Sequence, residues 1–443
     1  MPRVLLLIAL VLAALTGSAA VWLVTVTGGK PALLLALPGA LVLGMLFLYS
    51  RVTLFMLILL TRSMMDPIFD ATKIGNFGLG AVVNALVILI AILEIIRRPN
   101  PVRQALATSW LPFLLISGVT LGLAPDFVAG LKTYLALVSY AAIFALAIVL
   151  IDSEEAYGRW MRVIFLSSLV PVLFGFVDAA TGGVPTEIDF RIRSTFSHPN
   201  IFAFYLVLMI SVGFYFFKSN VSYIPPAWRR IIPIYLGMML ALLLMTKTRS
   251  AWASCLAFFM LYALIFERRY LLWIALSGVL ALLVPDVRDR LLDLSQGNDL
   301  VNYGKLNSYA WRKQIWKEGL AWMEPARYLF GYGLESFKRY SLDFFTLSGG
   351  MERGAHSVYV QLLFETGAIG LAAFIWIHVR VGHQLAGFYR QNPLMIFSAI
   401  MFLLEFALDA YTDNMLNYLS FNWYLWFVLG AAYAVNRVQS RPA

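Results

Sequence analysis

The segment IDFRIRSTFSHPN, residues 188–200, places Arg191, Arg193, His198 and Asn200 between two long apolar runs. Pro199 suits the first position of a helix, with His198 at the cap before it. Asn200 then falls in the first turn, beside free backbone N–H groups that attract anions. A second segment, TKTRSAW at 246–252, joins two apolar runs with almost no loop, so Lys247 and Arg249 sit at or just within a membrane surface. Charge at that depth is costly unless it is paired or meets an anion. The planar fork of arginine matches phosphate oxygens. The plainer readings are a basic loop facing lipid headgroups in the first segment and side chains snorkelling from a helical hairpin in the second.

A third segment, HSVYVQLLFETGAIGL, opens at His356 where an apolar run begins. An imidazole there suits general-base work or the orienting of a hydroxyl; a purely structural histidine is the competing reading. Tyr359 stands one turn on, Gln361 and Glu365 are spaced i, i+4, and Gly367 and Gly370 suit close helix packing, as small residues do in membranes. The fourth segment, ALDAYTDNMLNY at 407–418, brings Asp409, Asp413 and Asn414 to another helix end. They suit sugar hydroxyls, pairing with the basic cluster, or a solvated turn. His198, Asn200, Tyr359, Asp413 and Asn414 form a second candidate set, of polar groups able to meet hydroxyls. The four histidines (198, 356, 378 and 383) lack metal-ligand spacing, and Cys255 is the only cysteine. The expectation is no metal site, no cofactor and no disulfide.

The elements that must position these residues are transmembrane helices. The chain has 443 residues, 61% hydrophobic and 13% charged, a composition that excludes an ordinary soluble domain. The net charge of +10 does not indicate nucleic acid, because the basic residues punctuate apolar runs as membrane anchors do. The predicted fold is all-α: a polytopic membrane helical bundle of about 12–14 spans, with one long external loop containing amphipathic helices. Residues 1–284 form the N-terminal helices, 285–355 the loop and 356–443 the C-terminal helices. The first twenty residues resemble a signal peptide, but the apolar run continues through VWLVTV, so an uncleaved first helix is expected. The run at 52–64 is short for a span and reads as half of a broken helix.

With both termini cytoplasmic, Lys and Arg favour the cytoplasmic turns by about two to one. Arg191, Arg193, His198, Lys247 and Arg249 then lie on the external face, where topology does not require positive charge. In the loop, SYAWRKQIWKEGLAWM at 308–323 reads as an amphipathic helix capped by Ser308. Its indole rings suit the headgroup level or sugar stacking.

RSTFSHPN, then TKTRS between two spans, then GYGLESF (331–337) closing a long loop, then His356-Ser357 with Gly367 and Gly370 after nine further residues: this order resembles the O-antigen ligase/polymerase family. The resemblance runs from about residue 190 to 436. It implies a multi-spanning glycosyltransferase of the bacterial inner membrane with a periplasmic active site and no metal. Such an enzyme moves a glycan from undecaprenyl pyrophosphate to an acceptor hydroxyl, on lipid A–core in ligases or on a lipid-linked repeat unit in O-antigen and exopolysaccharide polymerases. A polymerase would also work with a chain-length regulator. By resemblance, Arg191, Arg193, Arg249 and the adjoining Lys247 hold the pyrophosphate, and His356 activates or orients the acceptor. Two other readings compete. A lipid-linked-sugar flippase would want charges at span centres and repeat symmetry, and a scaffold protein has no need of these residues on one face.

Overall fold

In the computed structural model, residues 41–71, 78–185, 190–219, 221–292 and 306–440 are described. The expected first span, at 4–25, and most of the second lie outside them. Seven helices among the described residues are long and apolar enough to cross a membrane: Leu79–Arg97, Phe127–Leu150, Glu154–Ala180, Pro199–Lys218, Pro226–Met245, Val358–Ala386 and Pro393–Thr412. Shorter apolar helices cover Leu111–Leu121, Arg249–Ile265 and Tyr270–Leu282, and Leu419–Gln439 packs in the centre. The protein is a polytopic helical membrane protein.

Local signals set the helix starts. Asp126 Oδ1 accepts from the backbone N–H groups of Val128 and Ala129, and Ser153 caps a first turn carrying Glu154 and Glu155, which suit the positive helix end. Prolines open Pro199–Lys218, Pro226–Met245 and Pro393–Thr412.

Pro199–Lys218 and Leu419–Gln439 are apolar around most of their circumference and buried to match. Gly430 lets Leu419–Gln439 approach Phe127–Leu150 closely, since a Cβ there would lie 2.6 Å from the Phe144 carbonyl oxygen. Tyr270–Leu282 has no buried residue and presents its apolar side chains outward, as a lipid-facing helix does.

Helix Arg51–Thr61 ends in a 3-10 turn, Arg62–Met64, followed by the short helix Asp66–Ala71. Backbone groups freed by such a break need partners where water is scarce. The Ser63 N–H donates to Tyr424 Oη at 3.0 Å, and Thr195 Oγ1 donates to the Ser63 carbonyl at 2.7 Å. Arg62 is buried, pairs with Asp66 at 2.7 Å and lies over the Phe69 and Trp423 rings.

The long loop folds on itself. Helix Ser308–Trp322 packs Ile315 and Trp316 into a small core with Phe337, Phe344, Phe345 and Phe364, so much of its apolar surface meets the loop's own residues. Its cap is Asn307, not Ser308: Asn307 Oδ1 accepts from the backbone N–H groups of Tyr309 and Ala310. Ser308 is turned to another partner, Arg249.

The break in Val358–Ala386 joins loop to bundle. Gly367 has φ +70° and ψ −175° inside this helix. Backbone from Tyr328 to Gly333 lies in the gap. Tyr332 N–H donates to the Phe364 carbonyl (3.0 Å) and Gly333 N–H to that of Glu365 (2.8 Å). In return Ala368 N–H donates to Tyr328 (2.8 Å) and Ile369 N–H to Leu329 (3.4 Å). A Cβ on Gly367 would lie 2.1 Å from the Leu329 carbonyl oxygen. Gly367 therefore serves the docking of a loop, not the helix packing expected of it. Gly370 does sit near a neighbouring helix, at Ile116.

Candidate active site

The four sequence segments meet at one end of the bundle. His198 caps Pro199–Lys218, with Nδ1 accepting from the Asn200 N–H at 3.1 Å. The Asn200 side chain then faces two ways. Its Oδ1 accepts from Arg191 Nη2 at 2.7 Å, and its Nδ2 donates to Asp413 Oδ2 at 2.6 Å. Arg191 also donates through Nε to the Thr246 carbonyl and through Nη2 to Thr248 Oγ1, each at 2.7 Å. It thus clasps the turn that holds Lys247 and precedes Arg249.

Asp413 is the hub. It is 2% exposed and accepts from Asn200, from the Tyr418 hydroxyl at 2.6 Å and from the Asn414 N–H at 2.8 Å. A buried carboxylate needs such partners. Asn414 Oδ1 in turn accepts from the Ser357 N–H at 3.0 Å, next to His356. Asp413 and Asn414 act here as internal links more than as a free face for sugar hydroxyls.

His356 is half-buried. Burial pulls its pKa below the ordinary histidine value; the Asp413 carboxylate opposes this, while the charges of Arg312 and Arg353 reinforce it. The imidazole is therefore neutral at pH 7 and able to take a proton. Its ring lies 5.7 Å from that of Trp311, edge to face. His198, exposed at the helix start, also has its pKa lowered, first by partial desolvation, with Asp413 opposing and Arg191, His356 and Arg193 adding to the fall.

Arg249 reaches into the loop, donating from Nη2 to Ser308 Oγ at 2.7 Å. One turn on, Arg312 enters the same field. Burial works against its charge, Arg249 adds to that, and the Asp413 carboxylate opposes both. Its Nε is buried without a hydrogen-bond partner. Helical periodicity alone sets Arg312 off the side of Trp311, Ile315 and Trp322, and only the folded loop brings it into the field of Asp413.

The remaining candidates stand apart from this centre. Arg193 is exposed. Its backbone N–H and that of Ser194 donate to Asp178 Oδ2, at 3.0 and 2.8 Å. Asp178 fixes the loop in this way, a role that no sequence signal marked. Tyr359 turns its hydroxyl to the Ala407 carbonyl at 2.7 Å, tying two spans together. Lys247 borders a separate cavity of about 320 Å³, where it and Arg191 join Phe190, Leu244, Val284 and Val287. His356 does not line that cavity; Arg191 is common to the cavity and the Asp413 network. Among the described residues no group of three His, Cys, Asp or Glu side chains could hold a metal.

Ser194, Lys247, Glu335 and His356 are the non-glycine residues with positive φ among those described, at +54°, +53°, +64° and +48°. They fall in RSTFSHPN, TKTRS, GYGLESF and His356-Ser357 respectively. Such backbone conformations cost about 1–3 kcal/mol each and gather at functional sites.

No curated protein matches the chain. Residues 234–375 match the family model Wzy_C, described as O-antigen ligase. That stretch holds Lys247, Arg249, the loop with Arg312, and the broken helix headed by His356, and the match supports assigning the chain to the O-antigen ligase/polymerase family.

Proposed function

We propose that this protein transfers a glycan from undecaprenyl pyrophosphate to an acceptor hydroxyl on the periplasmic face of the bacterial inner membrane, with both termini cytoplasmic. The acceptor is lipid A–core, as in a ligase. The observation that carries this reading is the hydrogen-bond network that joins the half-buried His356 segment and the Arg191 guanidinium to one buried carboxylate, Asp413, through Asn414 and Asn200.

In the reaction His356 takes the proton of the acceptor hydroxyl, and the oxygen attacks the anomeric carbon. The bond from that carbon to the pyrophosphate oxygen breaks, and the electron pair leaves with the lipid pyrophosphate. Arg249 and Arg312 meet the charge that grows there. Preorganised cations are most effective where water is scarce. Asp413 steadies the imidazolium once it forms. Arg191, engaged by Thr246, Asn200 and Thr248, sets the geometry of the Lys247–Arg249 turn. The cavity beside it, apolar along Phe190, Leu244, Val284 and Val287 with Lys247 at its border, suits a phosphate joined to a hydrocarbon chain.

The test is a transfer assay with purified protein and undecaprenyl pyrophosphate-linked glycan, with and without lipid A–core. Transfer to the core, lost in His356→Ala and Arg249→Ala, supports the ligase reading. A ladder of lengthened lipid-linked glycan without core replaces it with a polymerase, and movement of the lipid across the membrane without transfer replaces it with a flippase.

A further inference from the structure

Resting on that reading, the surroundings of His356 hold one more cation than the donor requires. Two loop guanidinium groups act on the imidazole, Arg312 and Arg353. Arg312 shares its field with Arg249 and Asp413 and so belongs to the donor side. Arg353 has different company. Its backbone N–H donates to Ser341 Oγ at 2.7 Å and its Nε to the Ser348 carbonyl at 3.3 Å. Those two bonds fix the residue, while its Nη groups make no hydrogen bond or ion pair among the described residues. The adjacent carboxylate, Glu352, is turned to Lys338 (3.9 Å) and Arg339 (3.4 Å). Arg353 is half-buried and stands three residues before the proposed base.

Trp311 is the other neighbour of His356. Its half-buried ring lies against the imidazole and against Phe345, 5.2 Å away. Indole rings offer a large apolar face of the kind that the C–H face of a sugar can cover.

We propose that Trp311 and Arg353 form the acceptor subsite, and that the acceptor sugar carries an anionic substituent, a carboxylate or a phosphate, close to its nucleophilic hydroxyl. Trp311 meets the ring and Arg353 the anion. A guanidinium fork is suited to either group, as a bidentate donor. The arrangement also has a catalytic consequence. Without acceptor, the Arg353 charge disfavours protonation of His356. An arriving anion neutralises that charge and makes the imidazole a stronger base when the hydroxyl must be deprotonated.

The experiment uses the full chain in lipid nanodiscs with undecaprenyl pyrophosphate-linked glycan as donor. Acceptors are the core glycolipid and lipid-linked repeat units, each in native, phosphatase-treated and carboxyl-reduced form. Initial rates give donor and acceptor KM separately for wild type, Arg353→Gln, Arg353→Lys and Trp311→Ala. The expected result is a wild-type preference for the anionic acceptor of about tenfold or more in kcat/KM, as a charge-assisted hydrogen bond implies. Arg353→Gln abolishes that preference and leaves donor KM unchanged, and Arg353→Lys restores part of it. Trp311→Ala raises KM for charged and neutral acceptors alike. The treatment that removes the preference identifies the anion. Equal wild-type rates on charged and neutral acceptors overturn the subsite, as does an Arg353→Gln variant that slows both while keeping the preference. Absence of transfer by the wild type to any acceptor overturns the glycosyltransfer reading itself, and the subsite with it.

Discussion

Gly367→Ala tests how the external loop is held. The substitution puts a Cβ 2.1 Å from the Leu329 carbonyl oxygen, at φ +70° and ψ −175°, a region reserved almost wholly to glycine. Two responses are open to the chain, and both are costly. Keeping the conformation costs about 1–3 kcal/mol in backbone strain before the clash is counted. Moving the loop away surrenders the bonds of Tyr332, Gly333, Ala368 and Ile369 across the break. At about 0.5–1.5 kcal/mol net apiece, four such bonds amount to about 2–6 kcal/mol.

The cheaper response sets the observed loss, so a local destabilisation of about 3 kcal/mol is expected. Hydrogen exchange in detergent micelles reads it directly. The amides of Tyr332, Gly333 and Ala368 should exchange about 100-fold faster in the variant, at about 1.4 kcal/mol per tenfold. Trypsin should cut sooner within 306–355, and transfer activity should fall with His356 displaced. Gly278→Ala is the control, because nothing lies within 4 Å of a Cβ there and alanine favours the helix. Unchanged exchange at all three amides in Gly367→Ala would refute the docking argument, whatever the activity.

Asp413→Asn should keep the fold and cut kcat at least tenfold, because the imidazolium loses its supporting carboxylate. The sign of its pH effect is fixed: Asp413 raises the His356 pKa, so the acid limb of kcat/KM moves to lower pH in the variant. Arg249→Ala and Arg312→Ala should each lower kcat by about 10- to 150-fold, the worth of one charged hydrogen bond, and EDTA should leave the wild-type rate unchanged. Arg62→Ala removes the ion-pair partner of Asp66, whose side chain is 12% exposed and keeps the Ser197 N–H, so its thermal midpoint should fall by an amount equivalent to about 1–3 kcal/mol; a midpoint within a degree of wild type would contradict this.

The parts of the site readable from sequence were those with a local cause. A proline and the residue before it announce a helix start, so His198, Pro199 and Asn200 take the places expected of them. Among the described residues the apolar runs likewise become helices. What sequence did not reveal depends on distant partners. Asp178 lies about one turn from the end of its helix, and nothing nearby indicates that its carboxylate receives two backbone amides of the RIRS loop. Periodicity puts Arg312 only off the side of Trp311 and Ile315, because it describes one helix alone, and the charges that act on it, Arg249 and Asp413, come from other segments. Gly367 has the small residue that close packing needs, but the partner is a loop backbone, which leaves no periodic trace. The capping of Ser308–Trp322 was misread by one residue because Asn and Ser are both good caps and only geometry chooses between them.

The left-handed residues explain why so much of the molecule supports so small a site. Ser194, Lys247, Glu335 and His356 each hold a conformation that the unfolded chain would avoid, and each is held by its neighbours. Ser194 Oγ donates to the Pro171 carbonyl at 2.6 Å while Asp178 takes its N–H. The Lys247 N–H is bonded to Leu244, and the turn around it is clasped by Arg191. Glu335 Oε1 accepts from Thr133 Oγ1 at 2.6 Å. His356 lies between Ala355, whose carbonyl accepts from Trp316 Nε1 at 2.6 Å, and Ser357, whose N–H is bonded to Asn414. Several of these supports come from membrane-spanning helices or their ends, so the packing energy of the bundle fixes the backbone of the site. In the proposed transfer, a base and cations fixed in this way need little reorganisation when charge moves to the departing pyrophosphate, an advantage that acts in the transition state and raises the rate.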